Sequence, residues 1–373
     1  MTADRIEISG FTAPGFERVR ETFLANFAAG EELGARFSAF REGEAVIDIF
    51  AGWSDRDRTI PFTDDTLACL FSSGKAAMAT LIAMAVSAGK LDYERPVAAD
   101  WPAFGASGKE RVTLAMTLSH QAGLCGFPDE MPPEDWLDHE KISARLAAMA
   151  PLWPPGSASG YHPQTVGYIA NELMRRRAGL TIGEALRERA LDIHCGMKAD
   201  EIARAAFMPK PPSAPIHRKG NRFTEIAFLK PWSAAAKVSR EDWMAAEIPA
   251  SNMHGTARAL AEIAHPLANG GVDAKGARVI EQDVVAAALA PRVSGDDLVL
   301  PFHLTWAAGL MANTNGHFGP NDSAFGHAGF GGSCAMVDPE KRVSAAYVMN
   351  RMSPSLAGDP RAVRLLTALD DCL

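Results

Sequence analysis

The sequence predicts an α+β fold: an antiparallel sheet flanked by helices, joined to a mainly helical second domain. Three observations carry that expectation. A strand–turn–strand pattern stands near the N-terminus, another stands near the C-terminus, and the long stretch between them has helical patterning broken by proline-rich loops. Strands at both ends of a chain meet most simply in one sheet. The expected boundaries are 1–68 plus 246–373 for the sheet domain and 69–245 for the helical domain. A site is expected at their junction, where pockets tend to form.

In chain order, Ala35 to Gly52 (ARFSAFREGEAVIDIFAG) alternates around Arg41-Glu42-Gly43-Glu44, as two strands joined by a tight turn would. Ser72 to Ser87 reads as a helix by its Ala, Met and Leu content, with Gly89 as its C-terminal cap. Being apolar on nearly all sides, it must be buried. Residues 112–124, VTLAMTLSHQAGL, supply a helix closed by His120 and Gly123. The loops FPDEMPPEDW and PLWPPGSASGYHP separate further helices, among them Asn171 to Arg177 and Thr181 to Leu191. Thr256 to Ala268 is a helix stopped by Asn269-Gly270-Gly271. From Leu304 the pattern returns to strand: TWAAGLMA, then SCAMVDPEKRVSAAYVMN, a hairpin about Asp338-Pro339-Glu340-Lys341.

Of the 373 residues, 47% are hydrophobic and 22% charged, the composition of an ordinary globular protein with enough chain for a substantial core. Net charge is −8 with Lys and Arg scattered, which argues against nucleic acid or an anionic membrane surface as a partner. The N-terminal MTADRIEISGF lacks the apolar centre of a signal peptide, and the longest apolar run, around Thr80 to Val86, is too short to span a bilayer. Five widely spaced cysteines without a CxxC read as free thiols in a reducing compartment, so a cytoplasmic protein is expected. HExxH, clustered Cys/His ligands and a GxSxG elbow are all missing from the sequence, so neither a metal nor an α/β-hydrolase mechanism is expected, and no cofactor.

Chemistry concentrates in ACLFSSGKAAMAT, residues 68–80. Positions i and i+3 of a helix share a face, so Ser72 can meet Lys75 while Ser73 cannot easily do so. A serine hydroxyl is a poor nucleophile until a base takes its proton, and a buried lysine can be that base because desolvation disfavours its ammonium form. The helix start adds unpaired N–H groups suited to an oxyanion. The bland alternative is a helix-start serine beside a lysine that reaches outward. Ser87-Ala88-Gly89-Lys90 matches the same pattern, but it lies at the C-terminal end of the helix, where the dipole disfavours negative charge, and is set aside.

Two further segments join this one: Tyr161 in a Pro- and Gly-rich loop directly before a helix, and His327-Ala328-Gly329 in a glycine-rich stretch before a strand. In this order the chain resembles the serine β-lactamase and penicillin-binding-protein superfamily, most of all the class C β-lactamase-like esterases called family VIII carboxylesterases. The resemblance runs from about Phe11 to Met352. It implies a β-lactamase/transpeptidase-like fold, with Ser72 as nucleophile, Lys75 and Tyr161 as proton carriers, and His327-Ala328-Gly329 in place of the K-T-G element. The backbone N–H groups of Ser72 and Phe330 would form the oxyanion hole, and His327, Gly329, Trp153 and Phe127 would bind substrate. A lysine ammonium beside Tyr161 is expected to favour the phenolate. Pro163 stands where the lactamases carry an asparagine that contacts the β-lactam side chain, and His327, near half-charged at neutral pH, replaces a lysine. Both departures favour plain esters. The expectation is a serine carboxylesterase acting through an acyl-enzyme on small short-chain esters. The alternatives are a β-lactamase, D-aminopeptidase or acyltransferase on the same framework, or a binding protein that has lost turnover. His120 is expected to close its helix and pack, the Asn350-Arg351 pair to be solvated surface rather than to reach the pocket, and Gly329-Phe330-Gly331-Gly332 lacks the third glycine of a dinucleotide loop.

Overall fold

The computed structural model describes residues 6–209, 221–229 and 238–373. Its strands, in chain order, are β1 (Ser9–Thr12), β2 (Gly34–Arg41), β3 (Glu44–Gly52), β4 (Ala68–Cys69), β5 (Ile193–His194), β6 (His254–Gly255), β7 (Val293–Asp296), β8 (His303–Trp306), β9 (Met311–Ala312), β10 (Phe325–Ala328), β11 (Cys334–Asp338) and β12 (Val343–Met349). Among the described residues nine of them form one antiparallel sheet in the order β1-β3-β2-β12-β11-β10-β9-β8-β7. The helix-forming stretch expected to reach residue 245 runs in part through residues outside those described.

Both expected hairpins form. Arg41 pairs with Glu44 across a turn whose central residues, Glu42 at φ 51° and Gly43 at φ 94°, have the left-handed backbone that suits the twist of the strands. Asp338 pairs with Val343 in the second hairpin. The two join side by side in the middle of the sheet, with β12 against β2 from Val343↔Arg41 to Met349↔Ala35. Every residue of β12 is buried because both faces are covered. Val343, Ala345, Tyr347 and Met349 face one core with Val19, Phe23, Leu365 and Leu369 of two terminal helices. Ala346 and Val348 face the other, with the Ala257–Ala268 helix. That alternation is the two-residue period of a strand read directly as two cores.

The Lys75–Ser87 helix is buried along most of its length, as its all-round apolarity requires, and packs among Ala257–Ala268, Gln282–Leu289 and Thr165–Arg177. It starts later than expected: Phe71–Gly74 is a 3-10 turn and the α-helix begins at Lys75. The helix expected in 112–124 is shorter, Leu114–Leu118, and His120 beyond it has φ 62°. The helix holding Asn171 starts earlier, at Thr165, and the next spans Ile182–Glu188 behind a Thr181 capping box. A small sheet in the order β4-β6-β5 ties the strand before the nucleophile turn to the strand before Thr256, the cap of the Ala257–Ala268 helix. The five cysteines are free thiols. Among the described residues no helix is long and apolar enough to cross a membrane, and no cluster of side chains could hold a metal ion.

Candidate active site

β4 delivers the chain to Phe71, whose φ of 46° is a left-handed backbone for a bulky residue. Such strain, of order 1–3 kcal/mol, persists only where the surroundings over-determine it. The 3-10 turn that follows separates the two adjacent serines. Ser73 is fully buried, its hydroxyl donating to the Leu70 carbonyl at 2.8 Å and meeting Ser333 Oγ at 3.1 Å. Ser72 is half-buried and faces two titratable groups. Lys75 Nζ lies 2.9 Å from Ser72 Oγ, and the Tyr161 hydroxyl donates to the same oxygen at 2.6 Å. Lys75 Nζ also sits 5.0 Å from the centre of the Tyr161 ring. The amine and the phenol, read from two separate segments, converge on the one serine oxygen.

Burial sets their protonation. Desolvation drives Lys75 well below the ordinary lysine range. Tyr161 moves up, because desolvation and the nearby Asp297 outweigh its hydrogen bond to Ser72. Burial therefore favours a neutral amine beside a neutral phenol over the expected ammonium–phenolate pair. A neutral amine has two N–H groups, and the carbonyls of Pro163 at 2.9 Å and Ala250 at 2.7 Å accept them. Its lone pair is then left for the Ser72 hydroxyl proton. His327 also departs from expectation. It is fully buried and desolvation holds it well below the usual histidine range, so it is neutral rather than half-charged. Its Nδ1 lies 3.0 Å from the Ala328 carbonyl, and its ring stands 5.8 Å from Tyr161.

Tyr161 is held by residues that the sequence reading did not single out for this role. Its N–H donates to Asp297 Oδ1 at 2.9 Å, and that oxygen also accepts from the N–H groups of Val299 and Leu300. Its ring stacks on Trp306 at 5.7 Å and 5°. The edge of His120 meets it at 4.8 Å, while His120 Nδ1 accepts from the His162 N–H at 3.1 Å. His120 is structural, as expected, but what it supports is the tyrosine that donates to Ser72. Asp297 and Trp306 lie more than a hundred residues from Tyr161, and no local pattern marks them.

Trp153 and Phe127, expected at the substrate, are placed as loop anchors. Trp153 lies against Gly160 and Phe223, with its indole N–H donating to the Ala158 carbonyl at 3.2 Å. Phe127 packs on Trp136 and beneath the Arg145 guanidinium. The rings beside the nucleophile turn are Phe71, Phe330 and Trp243, with Phe71 5.9 Å from Phe330 and 6.2 Å from Trp243. Asn350, expected on the solvated surface, is instead fully buried and bonds Gly34 and Trp53, while Arg351 is exposed and donates to the Gly30 carbonyl. Ser87 accepts from the Glu281 N–H at the far end of its helix.

β10 runs into the nucleophile turn at Gly329. A Cβ there would stand 2.3 Å from the Leu70 carbonyl oxygen and 2.1 Å from Ser333 Oγ, so only glycine allows this approach. In the turn from 329 to 333, the N–H groups given to backbone carbonyls are those of Gly329 (to Ser333), Gly331 (to Ser355) and Gly332 (to Gly329). Across the other strand end, the first such bond of the nucleophile turn starts at Ser73 N–H. Among the described residues the N–H groups of Ser72 and Phe330 have no acceptor, as an oxyanion hole requires.

A half-buried serine between a buried amine and a phenol, at the end of an interior strand of an antiparallel sheet covered by helices, is the arrangement of a serine hydrolase of the β-lactamase/transpeptidase fold. Comparison with known proteins agrees: the family described as Beta-lactamase matches residues 20–368, and the chain belongs to that family, within the superfamily of serine β-lactamases and penicillin-binding proteins. The chain is 33% identical to "Esterase/beta-lactamase LipL" of Mycobacterium tuberculosis, over 94% of this chain and 85% of that one. Among solved structures, a penicillin-binding protein homolog from Caulobacter crescentus superposes with a TM-score of 0.94 at 48% identity, covering 98% of this chain and 100% of that one. A family VIII carboxylesterase superposes with a TM-score of 0.92 at 37% identity, with the same coverage.

Proposed function

We propose that this protein is a serine carboxylesterase that hydrolyses short-chain acyl esters through an acyl-enzyme. The observation that carries the reading is the convergence of Lys75 Nζ and the Tyr161 hydroxyl on Ser72 Oγ, at 2.9 and 2.6 Å. In this mechanism Lys75 takes the Ser72 proton as Oγ attacks the ester carbonyl. Negative charge develops on the carbonyl oxygen between the Ser72 and Phe330 N–H groups. Tyr161 gives its proton to the departing alkoxide and recovers one from the Lys75 ammonium, which restores both neutral groups. Water then replaces the alcohol, and the same transfers in reverse release the acid. The Lys75 ammonium exists only transiently, held by the Pro163 and Ala250 carbonyls that already face it.

Two features favour esters over β-lactams. Pro163 offers its backbone carbonyl to Lys75 and has no side-chain amide for an acylamino group. His327, buried and neutral, brings no fixed positive charge for the carboxylate of a β-lactam. The name of the family VIII structure points to ester chemistry in that protein, and that of the LipL relative to both ester and β-lactam chemistry. The test is hydrolysis of p-nitrophenyl butyrate beside a chromogenic cephalosporin. Ester turnover lost in Ser72→Ala and kept in Ser87→Ala, with a phosphonate label on Ser72, is the expected result. Rapid cephalosporin turnover without ester turnover would overturn the substrate, and labelling at another serine would overturn the mechanism.

A further inference from the structure

The glycines around Phe330 raise a mechanical problem. A peptide plane that follows a glycine turns over more easily, because no Cβ restricts it on that side. If the plane joining Gly329 to Phe330 turned over, the Gly329 carbonyl would replace the Phe330 N–H in the oxyanion hole. Something must hold that plane, and the chain supplies a buried arginine one helix away. We propose that Arg361 is the positioning residue of the oxyanion hole, acting through two successive peptide hydrogen bonds. The proposal rests on the reading of Ser72 and Phe330 given above.

The connection can be followed atom by atom. Arg361 Nη2 donates to the Gly331 carbonyl at 2.9 Å, and the Ser353 N–H donates to the same oxygen at 2.9 Å. The Gly331 carbonyl and the Gly332 N–H belong to one trans peptide, so they point in opposite directions. The Gly332 N–H donates to the Gly329 carbonyl at 3.1 Å. That carbonyl shares a peptide plane with the Phe330 N–H, which must therefore point away from Gly332. Phe330 sits beside the nucleophile turn, its ring edge-on to Phe71 at 5.9 Å. Each bond in the series also polarises the next, so a guanidinium at one end strengthens the N–H donor at the other.

Arg361 is built to hold one direction. Its side chain is buried, and Asp359 grips it in a fork, Nε to Oδ1 at 3.0 Å and Nη2 to Oδ2 at 2.9 Å. Its Nη1 donates to the Arg351 carbonyl at 2.8 Å and to the Glu31 carbonyl at 3.1 Å, and meets Glu32 Oε2 at 3.2 Å. Burying this many charges is seldom the cheapest way to join a helix to a loop, since apolar residues often do so as well. A fixed donor aimed at one carbonyl is something apolar packing cannot supply. The glycines take part as well: at Gly332, with φ 125°, a Cβ would lie 2.5 Å from Arg361 Nη2 and 2.6 Å from Asp359 Oδ2.

The experiment compares Arg361→Lys and Asp359→Asn with wild type, each checked for folding by circular dichroism and melting. Asparagine caps helices as well as aspartate does, so Asp359→Asn is expected to fold even if the lysine variant does not. Expected is a fall in kcat for p-nitrophenyl butyrate of roughly ten- to a thousand-fold in Arg361→Lys, up to the loss of one oxyanion donor, with KM nearly unchanged. Asp359→Asn should show a smaller fall of the same kind. Affinity for a trifluoromethyl ketone analogue, whose serine adduct carries an oxyanion, should fall by the same factor as kcat, while inhibition by butyrate should not change. A folded variant with wild-type kcat and ketone affinity would overturn the proposal. So would a loss of ketone and butyrate binding in equal measure, the mark of general structural damage. Failure of wild type to be acylated at Ser72 would instead remove the reading beneath it.

Discussion

In the proposed mechanism Lys75 serves as a base because of where it is buried, and Tyr161 as an acid for the same reason. Desolvation disfavours the charged form of each, lowering the amine from its ordinary 10.5 and raising the phenol from its ordinary 10.0. The sign of the pH dependence follows. Activity needs the neutral amine, so kcat/KM should be lost as pH falls through the lowered Lys75 pKa and should reach a plateau above it. The raised Tyr161 pKa means that plateau should continue through pH 9 without a falling limb. A pH–rate profile with p-nitrophenyl butyrate checks both. Tyr161→Phe should cost roughly 10²- to 10⁴-fold in kcat, the usual range for a lost general acid, without moving the acid limb. Lys75→Met should abolish that limb along with nearly all turnover. At this scale the sequence was informative: the three-residue spacing of Ser72 and Lys75 puts them on one face whether the turn is α or 3-10. It could not show the neutral state of His327, because burial belongs to the fold and not to the residue.

The decisive element is the 3-10 turn Phe71–Gly74 pressed against the end of β10. Gly329→Ala tests that contact. Its Cβ would meet a backbone carbonyl at 2.3 Å, which cannot swing aside as a flexible side chain can, so β10 must part from the turn. Hydrolysis should fall by orders of magnitude, and the melting temperature should drop with it. Gly89→Ala is the control: its φ of 67° strains any side chain, but nothing stands within 4 Å. It should cost about 1–2 kcal/mol of stability and no activity. Elements with a strong local signal were legible. The Glu42-Gly43 turn and the Asp338 hairpin carry their geometry in their own residues. The 3-10 start before Lys75 was not, because it follows from Phe71 being held at φ 46° by what packs around it. Leu114–Leu118 ends early for a similar reason: His120 leaves the helix to face Tyr161 and Trp306.

Over the whole molecule, a buried ionic cluster links the two ends of the chain behind the site. Glu32 meets Arg361 and accepts from the Tyr347 hydroxyl, with Asp359 and Glu31 nearby. Burial raises Glu32 to about 7 although Arg361 pulls the other way, and here burial prevails. Between about 4.5 and 7 the folded chain holds a proton that the unfolded chain has released. This group's contribution to stability is therefore complete below about 4.5 and is lost as pH rises through about 7. Glu32→Gln should flatten the fall in urea midpoint between pH 5 and pH 8, and an unchanged slope would assign it to other groups. Alone, the sequence determined the two hairpins, five of the helices and the meeting of the serine with the lysine, since periodicity, turn chemistry and short spacings are written in neighbouring residues; the tyrosine was marked only by its place in the order of the family's segments. Only the tertiary structure decided that Pro163 and Ala250 seat the amine, that Asp297 and Trp306 hold the phenol, and that Arg361 reaches the Phe330 loop. Those contacts join residues tens to hundreds of positions apart, and their strength comes from exclusion of water, which exists only once the chain has closed on itself.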